Sequence, residues 1–494
     1  MPSNSYDLVV LGDDLAALAC AAICARRGLR TLVLGDERPA RYQLGPHKLP
    51  VDPLVWSAPA SGAPSGAERV LTDLHAAHAL RRKLREPKLA AQLVAPDLRL
   101  DLGADRLAGE LVRELGEPGA TTWLAQWDRA SELARLLDAL VAGEHAFPGV
   151  GFFERREVAK LTERATAEAA AWWASLADDP RRALWHHLAA IAMRHPAPSP
   201  LAVARALDAW RTGPLPVRGD GDALRELFLE KLTTAGGELR AGRVTDIGVS
   251  WGKIASLTLA SGDELGCGQV VSSRPAAELV PVLGKKAPKR LTELAEALVI
   301  VGYRYTLNIV VDEAGLPEHL APTVAVTAAP DQDPAGDGTF SLHVGEPDDT
   351  GRVIVSVAAV LASDGALDLE RAQSRCMALR AGLWKRLGEV MPFFERHLVL
   401  AHSPFEATSP QVPGGRGSYD VPRNLPLPMT PVWKAGDVGY ATGLKNLTLT
   451  GEQVQPTLGL EGALVAGWSA AKVACAIAGT KKDYLRDEVV GSSG

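Results

Sequence analysis

Cysteine is scarce: the 494-residue chain has five (Cys20, Cys24, Cys267, Cys376, Cys475) and no C-x-x-C pair. That excludes a disulfide framework and fits a reducing compartment. A basic excess is also missing. Lys plus Arg number 53 against 59 Asp plus Glu, net −6, and runs such as Arg81-Arg82-Lys83 sit in otherwise mixed segments, so no nucleic-acid partner is expected. No G-x-S-x-G elbow or Ser-His-Asp order supports a hydrolase. His186-His187 lacks a third ligand at metal spacing, and Cys20 with Cys24, one helical turn apart on an Ala-rich face, reads as core. No internal repeat is present. The apolar amino terminus has no basic n-region and carries Asp7, Asp13 and Asp14, so it reads as structure and not as an address. The apolar stretch LEGALVAGWSAAKVACAIAG contains Glu461 and Lys472 and reads as a buried helix rather than a span. The expectation is a cytoplasmic protein, peripheral to a membrane if its substrate is lipophilic.

What is present is enough apolar residue, 47 %, to bury at least one large core, and a length suited to two to four domains. The first forty residues alternate as DLVVLG, DLAALACAAICARRG and LRTLVLGDE, a βαβ start. From Pro39 to Gly66 Pro and Gly thicken, which predicts a long exposed connection. Leu71 to Asp208 is mostly helical in period, with Trp123, Trp127, Trp172 and Trp173 as core residues or tunnel lining. Beyond Pro214 a helix ending in Gly-Gly precedes three short β-rich runs. Strand-like runs return between Ala297 and Ser409, followed by a helix from Leu367 to about Val390.

The first βαβ unit aligns with the dinucleotide fingerprint G-x-G-x-x-G, in which a strand ends in Gly and a helix amino terminus cradles a diphosphate. Gly12 can make the turn and Ala17 is small enough for the third Gly. Asp14 occupies the middle Gly, where a like charge costs ~1 to 4 kcal/mol at about 4 Å. The acid expected to meet the ribose falls on Gly35, with Asp36 one position late; that loss costs ~1.5 to 3 kcal/mol. The alternative is a plain βαβ unit whose Asp13 or Asp14 caps the helix.

Three segments together resemble the FAD-binding oxidoreductase superfamily of phytoene desaturases, carotenoid isomerases and flavin amine oxidases. DLVVLGDDLAALACAAICARRGLRTLVLGDE is similar to their first βαβ unit. The stretch from PLPVRGDGDALREL to VVSSRPAAEL is similar to their middle segment, in which Gly219-Asp220-Gly221 opens a helix and Val244 starts a strand beside adenine. NLTLTGEQVQPTLGLEGALVAGWSAAKVA resembles their carboxy-terminal flavin motif, with Gly451 and Glu452 near the ribityl-phosphate and the Leu458 to Gly462 turn, including Gly459 and Leu460, near the flavin ring. The resemblance implies an α/β fold: a Rossmann-like FAD-binding domain from residues 1–50, 211–285 and 436–494, and a mixed helix/sheet substrate domain from 51–210 and 286–435. It implies hydride transfer through FAD on an apolar polyene or amine. Arg38 or Arg41 is a candidate phosphate contact in a turn that lacks the family's glycines. A well-matched site binds FAD near −12 kcal/mol, so losing roughly 3 to 7 leaves sub-micromolar to sub-millimolar affinity. Weak or absent FAD is therefore expected. The rival reading is a catalytically inactive scaffold that binds a protein or lipid partner, as Rab-escort and GDP-dissociation-inhibitor proteins do.

Overall fold

The computed structural model describes residues 5–36, 39–57, 65–142, 145–149, 152–412, 419–434 and 439–479. β1 (Ser5–Leu11) is apolar and buried from Leu8 to Leu11, as a strand covered on both faces must be, and lies between β2 (Thr31–Gly35) and strand Glu264–Ser272, parallel to both. Among the described residues the sheet has seven strands. Its order runs 244–250, 253–259, 264–272, β1, β2, 238–241, with Leu447–Leu449 added parallel to the end of strand 264–272. Its strands thus come from three distant stretches of chain. α1 (Leu15–Arg26) links β1 to β2 and is buried almost all round; it packs on the carboxy-terminal helix Gly459–Ala478, where a side chain at Gly467 would collide with the Ala16 carbonyl. That helix is the single described helix long and apolar enough to cross a membrane, and 72 % of its apolar window is buried in this packing.

The second sheet has eight strands among the described residues and is mostly antiparallel, with the long strands Ile300–Asp312 and Arg352–Ala362 at its centre and helix Leu369–Val390 packed on one face. A helical layer, including residues 107–142 (kinked at Gly116), 152–175, 181–193 and 200–211, covers the other end of this sheet. Trp123, Trp127 and Trp172 are core residues of that layer.

Two expectations fail locally. The presumed exposed connection contains a hairpin, Arg41–Leu44 with His47–Pro50, whose alternation buries Tyr42, Leu44 and Leu49 against the second sheet. The period-2 pattern was short enough to be masked by Pro and Gly. The helical block also contains the hairpin Ala91–Ala95 with Leu98–Leu102, held at the sheet edge by parallel pairing with Thr323–Thr327. That partner lies more than two hundred residues away, out of reach of local pattern.

Candidate functional site

β1 ends at a sharp turn. Gly12 has φ +104°, its N–H donates to Leu34 O at 2.9 Å, and a side chain there would collide with Ser273 Oγ. Asp14 follows as the N-cap of α1, its Oδ1 accepting the Ala17 N–H at 2.9 Å. Such a cap satisfies a donor that a helix start would otherwise offer to an anion. The Asp14 side chain is open to solvent, yet protein surrounds it on several sides: this environment raises its pKa, helped by the charges of Glu452 and Asp13, against the Ala17 and Ser273 hydrogen bonds. Ser273, Gly451 and Glu452 wall this open carboxylate, so Asp14 lies on the floor of the cleft between them. Gly451, at φ +81°, comes to the same point from the carboxy-terminal segment, since a Cβ there would lie 3.5 Å from Ser273 Cβ and 3.8 Å from Asp14 Oδ2.

Asp13, 8 % exposed, turns the other way and pairs with Arg225 of helix Asp220–Thr234 at 2.7 Å. A Cβ on Gly35 would lie 2.6 Å from Asp13 Oδ2. The carboxylate missing from the end of β2 is therefore replaced in space by one arriving from β1. Asp36 pairs with Arg274 at 2.6 Å. Gly242 N–H donates to Gly35 O, so Val244 begins its strand at this same end of the sheet, paired with Leu259. Arg41 donates to Lys48 O at 2.6 Å, its Nε has no hydrogen-bond partner among the described residues, and its charge acts on Asp220, whose pKa burial pushes up to about 6. Arg38 lies outside the described residues.

Glu452 leads from the cleft into the second sheet. It pairs at 2.6 Å with Arg304 on strand Ile300–Asp312; Arg304 lies 3.7 Å from Asp52, and Asp52 pairs with Arg194 at the end of helix Arg181–Met193. Burial alone would raise Asp52, but Arg194 and Arg304 outweigh it and hold the carboxyl low. These four residues were not singled out from sequence as a set. The one available signal was Arg304, a lone charge inside the apolar run VGYRYTLNIVV.

Beyond this row lies a cavity of about 80 Å³ bordered by Trp56, Met193, Trp210, Leu458 and Leu460, with Arg194, Ser341 and His343 among its polar residues. His343 Nε2 and Ser341 Oγ are 2.9 Å apart, and burial with the Arg194 charge pushes the imidazole down to about 3, so it is neutral. Gly459 opens the carboxy-terminal helix at φ +54°, with room for no side chain comfortably beside Met193 O, 3.1 Å from a Cβ. Two residues on, Glu461 forms a bidentate pair with the buried Arg205 at 2.8 and 2.7 Å; Asp138 lies 2.9 Å and Asp208 3.6 Å from the same guanidinium. Among the described residues no cluster of His, Cys, Asp and Glu could hold a metal ion. His187 instead bonds Thr339.

No family model and no curated protein matches the chain. Solved structures do. An oxidoreductase from Methanosarcina mazei is similar at 13 % identity and TM-score 0.57, over 94 % of this chain and 99 % of that one. The PF1083 protein from Pyrococcus furiosus is similar at 13 % and 0.57, over 97 % and 99 %. Putrescine oxidase bound to putrescine is similar at 13 % and 0.56, over 96 % and 99 %. The chain has the fold of the FAD-dependent oxidoreductases. At that identity the likeness speaks for the fold alone, and the site must be judged on its own residues. Along its frame the crevice fits an extended dinucleotide: a tight Gly12 turn, a small Ala17, and Gly451 and Gly459 where backbone approaches closely. At the diphosphate it does not fit, because Asp14 takes the Ala17 N–H and adds its own negative charge.

Proposed function

We propose that the protein is an oxidoreductase of the flavin type acting on a neutral, apolar small molecule, with weakened affinity for FAD. The carrying observation is the charge-balanced row Glu452–Arg304–Asp52–Arg194, which runs from the segment beside Asp14 to Arg194 in the wall of a largely apolar cavity. Flavin, when bound, supplies the hydride acceptor. The chain's own contribution is positional. Trp56, Met193, Trp210, Leu458 and Leu460 favour an apolar body and exclude water. His343 is held neutral, and the charges in the wall are compensated, Arg205 by Glu461 and Arg194 by Asp52 behind it, so an ionic substrate gains little there.

The rival reading, an inactive scaffold for a protein or lipid partner, draws support from the Asp13–Arg225 pair over Gly35, which fills space a ribose-binding side chain would use. Titration of purified protein with FAD, followed by visible absorbance, separates the two. Saturable flavin binding that tightens in Asp14→Gly supports the oxidoreductase. A protein and variant that both stay colourless overturn it.

A further inference from the structure

The hairpin that joins strands 244–250 and 253–259 turns through Trp251 and Gly252, both at positive φ, +52° and +73°. Asn, Asp or Gly suits such a two-residue turn; a tryptophan does not. Trp251 is 93 % exposed, the most exposed large apolar side chain described, and it makes no ring contact among the described residues. Neither the turn nor the core explains an indole at this apex.

The surroundings are basic. Lys445 N–H donates to Gly252 O at 2.9 Å, and its Cε would lie 3.9 Å from a Cβ on Gly252. A Cβ on Gly443 would lie 2.9 Å from Pro288 Cβ and 3.5 Å from Arg290 Cβ, which brings the GKKAPKR segment, 284–290, beside the same turn. Lys286 of that segment donates to Ile247 O at 3.0 Å and lies 3.4 Å from Asp246, both on the hairpin's first strand. Lys253, Lys285, Lys286, Lys289, Arg290 and Lys445 are all exposed. The acids on these elements are fewer: Asp246 pairs with Lys286, Glu293 with Lys289, and Glu296 lies farther along helix Lys289–Ala297. Lys253, Lys285, Arg290 and Lys445 have no carboxylate partner among the described residues. A local excess of positive charge on a chain of net −6, gathered around one protruding indole, is a defined surface and not a consequence of overall composition.

We propose that this face docks on an anionic lipid bilayer, with Trp251 seated at the headgroup level and the surrounding Lys and Arg side chains meeting lipid phosphates and carboxylates. An amphipathic indole favours that depth, and basic residues near an anionic surface each add to the attraction. Nucleic acid fits less well, because the charges ring a projection where a phosphate backbone would need a groove or track.

The test is co-sedimentation of the full chain with vesicles of phosphatidylcholine alone and of phosphatidylcholine mixed with phosphatidylserine. Binding is expected to the mixed vesicles, with a marked loss as salt rises. Lys285→Gln with Arg290→Gln should weaken it about 25-fold, at about fivefold per charge. Trp251→Asn should weaken it about tenfold without lowering the melting temperature, since Asn tolerates the turn better. Equal binding to neutral vesicles, no binding to either, an unaffected Trp251→Asn variant, or retention of an oligonucleotide or polyglutamate in preference to vesicles would each overturn the proposal.

Discussion

Two helices that pack on each other, α1 and Gly459–Ala478, each carry an acid at the amino-terminal end, Asp14 as the N-cap of one and Glu461 in the first turn of the other, and the two acids are treated in opposite ways. Glu461 is paired bidentately with Arg205 in the interior, and that guanidinium outweighs burial to hold the carboxyl below its ordinary range. Among the described residues Asp14 has no cation partner: it caps its helix, opens to solvent, and has its pKa raised. Buried charge must be compensated for the fold to stand, whereas a charge on a cleft floor is tolerated by water. The first cluster is therefore a property of the fold and the second a property of the cleft. Gly35 marks the same divide, since the space its side chain would take is filled by the Asp13 carboxylate from the end of the neighbouring strand.

Arg205→Met should separate the two most sharply. It strands Glu461, Asp138 and Asp208 together, with an expected loss of about 3 to 5 kcal/mol in chemical denaturation; a loss below about 1 kcal/mol would place this cluster with the tolerated one. Asp138 comes next. Burial raises its carboxyl to about 6 from 3.8, so in that window the folded state holds a proton the unfolded chain has released. Stability should fall as pH rises from 3.8 to about 6, by up to about 3 kcal/mol, and a pH series on Asp138→Asn should lack that component. Gly35→Glu restores the expected ribose acid but drives it into the Asp13 carboxyl, so a cost of about 1 to 3 kcal/mol is expected, partly relieved in the Asp13→Ala background; additive costs would mean that the two positions are independent. The smallest stability effect belongs to Asp14→Gly, a few tenths of a kcal/mol. Its readout is FAD affinity, expected to rise about tenfold or more on removing the like charge. In the parent protein FAD should bind more tightly as pH falls through the raised Asp14 pKa, and the variant should lose this slope.

Sequence made the βαβ start legible because apolar runs, a turn glycine and a helix cap are local signals; it left Asp13 or Asp14 as the cap, and the structure assigns Asp14. The fold class was likewise legible in the three resembling segments. The balance of the site was not. Arg225 reaches Asp13 across 212 positions and Arg304 reaches Glu452 from the other sheet, and nothing in the run around either residue names its partner. The hairpin at 41–50 was missed for a related reason: its burial depends on a sheet built much later in the chain.

The close crossing of Gly467 over the Ala16 carbonyl also sets an order of events during synthesis. The strand and helix at residues 5–26 bury their surface against the helix Gly459–Ala478, made more than four hundred residues later, so this unit waits, with its alanine and cysteine face uncovered, until that helix has been synthesised. A nascent chain stalled before residue 447 would be a client for holdase chaperones.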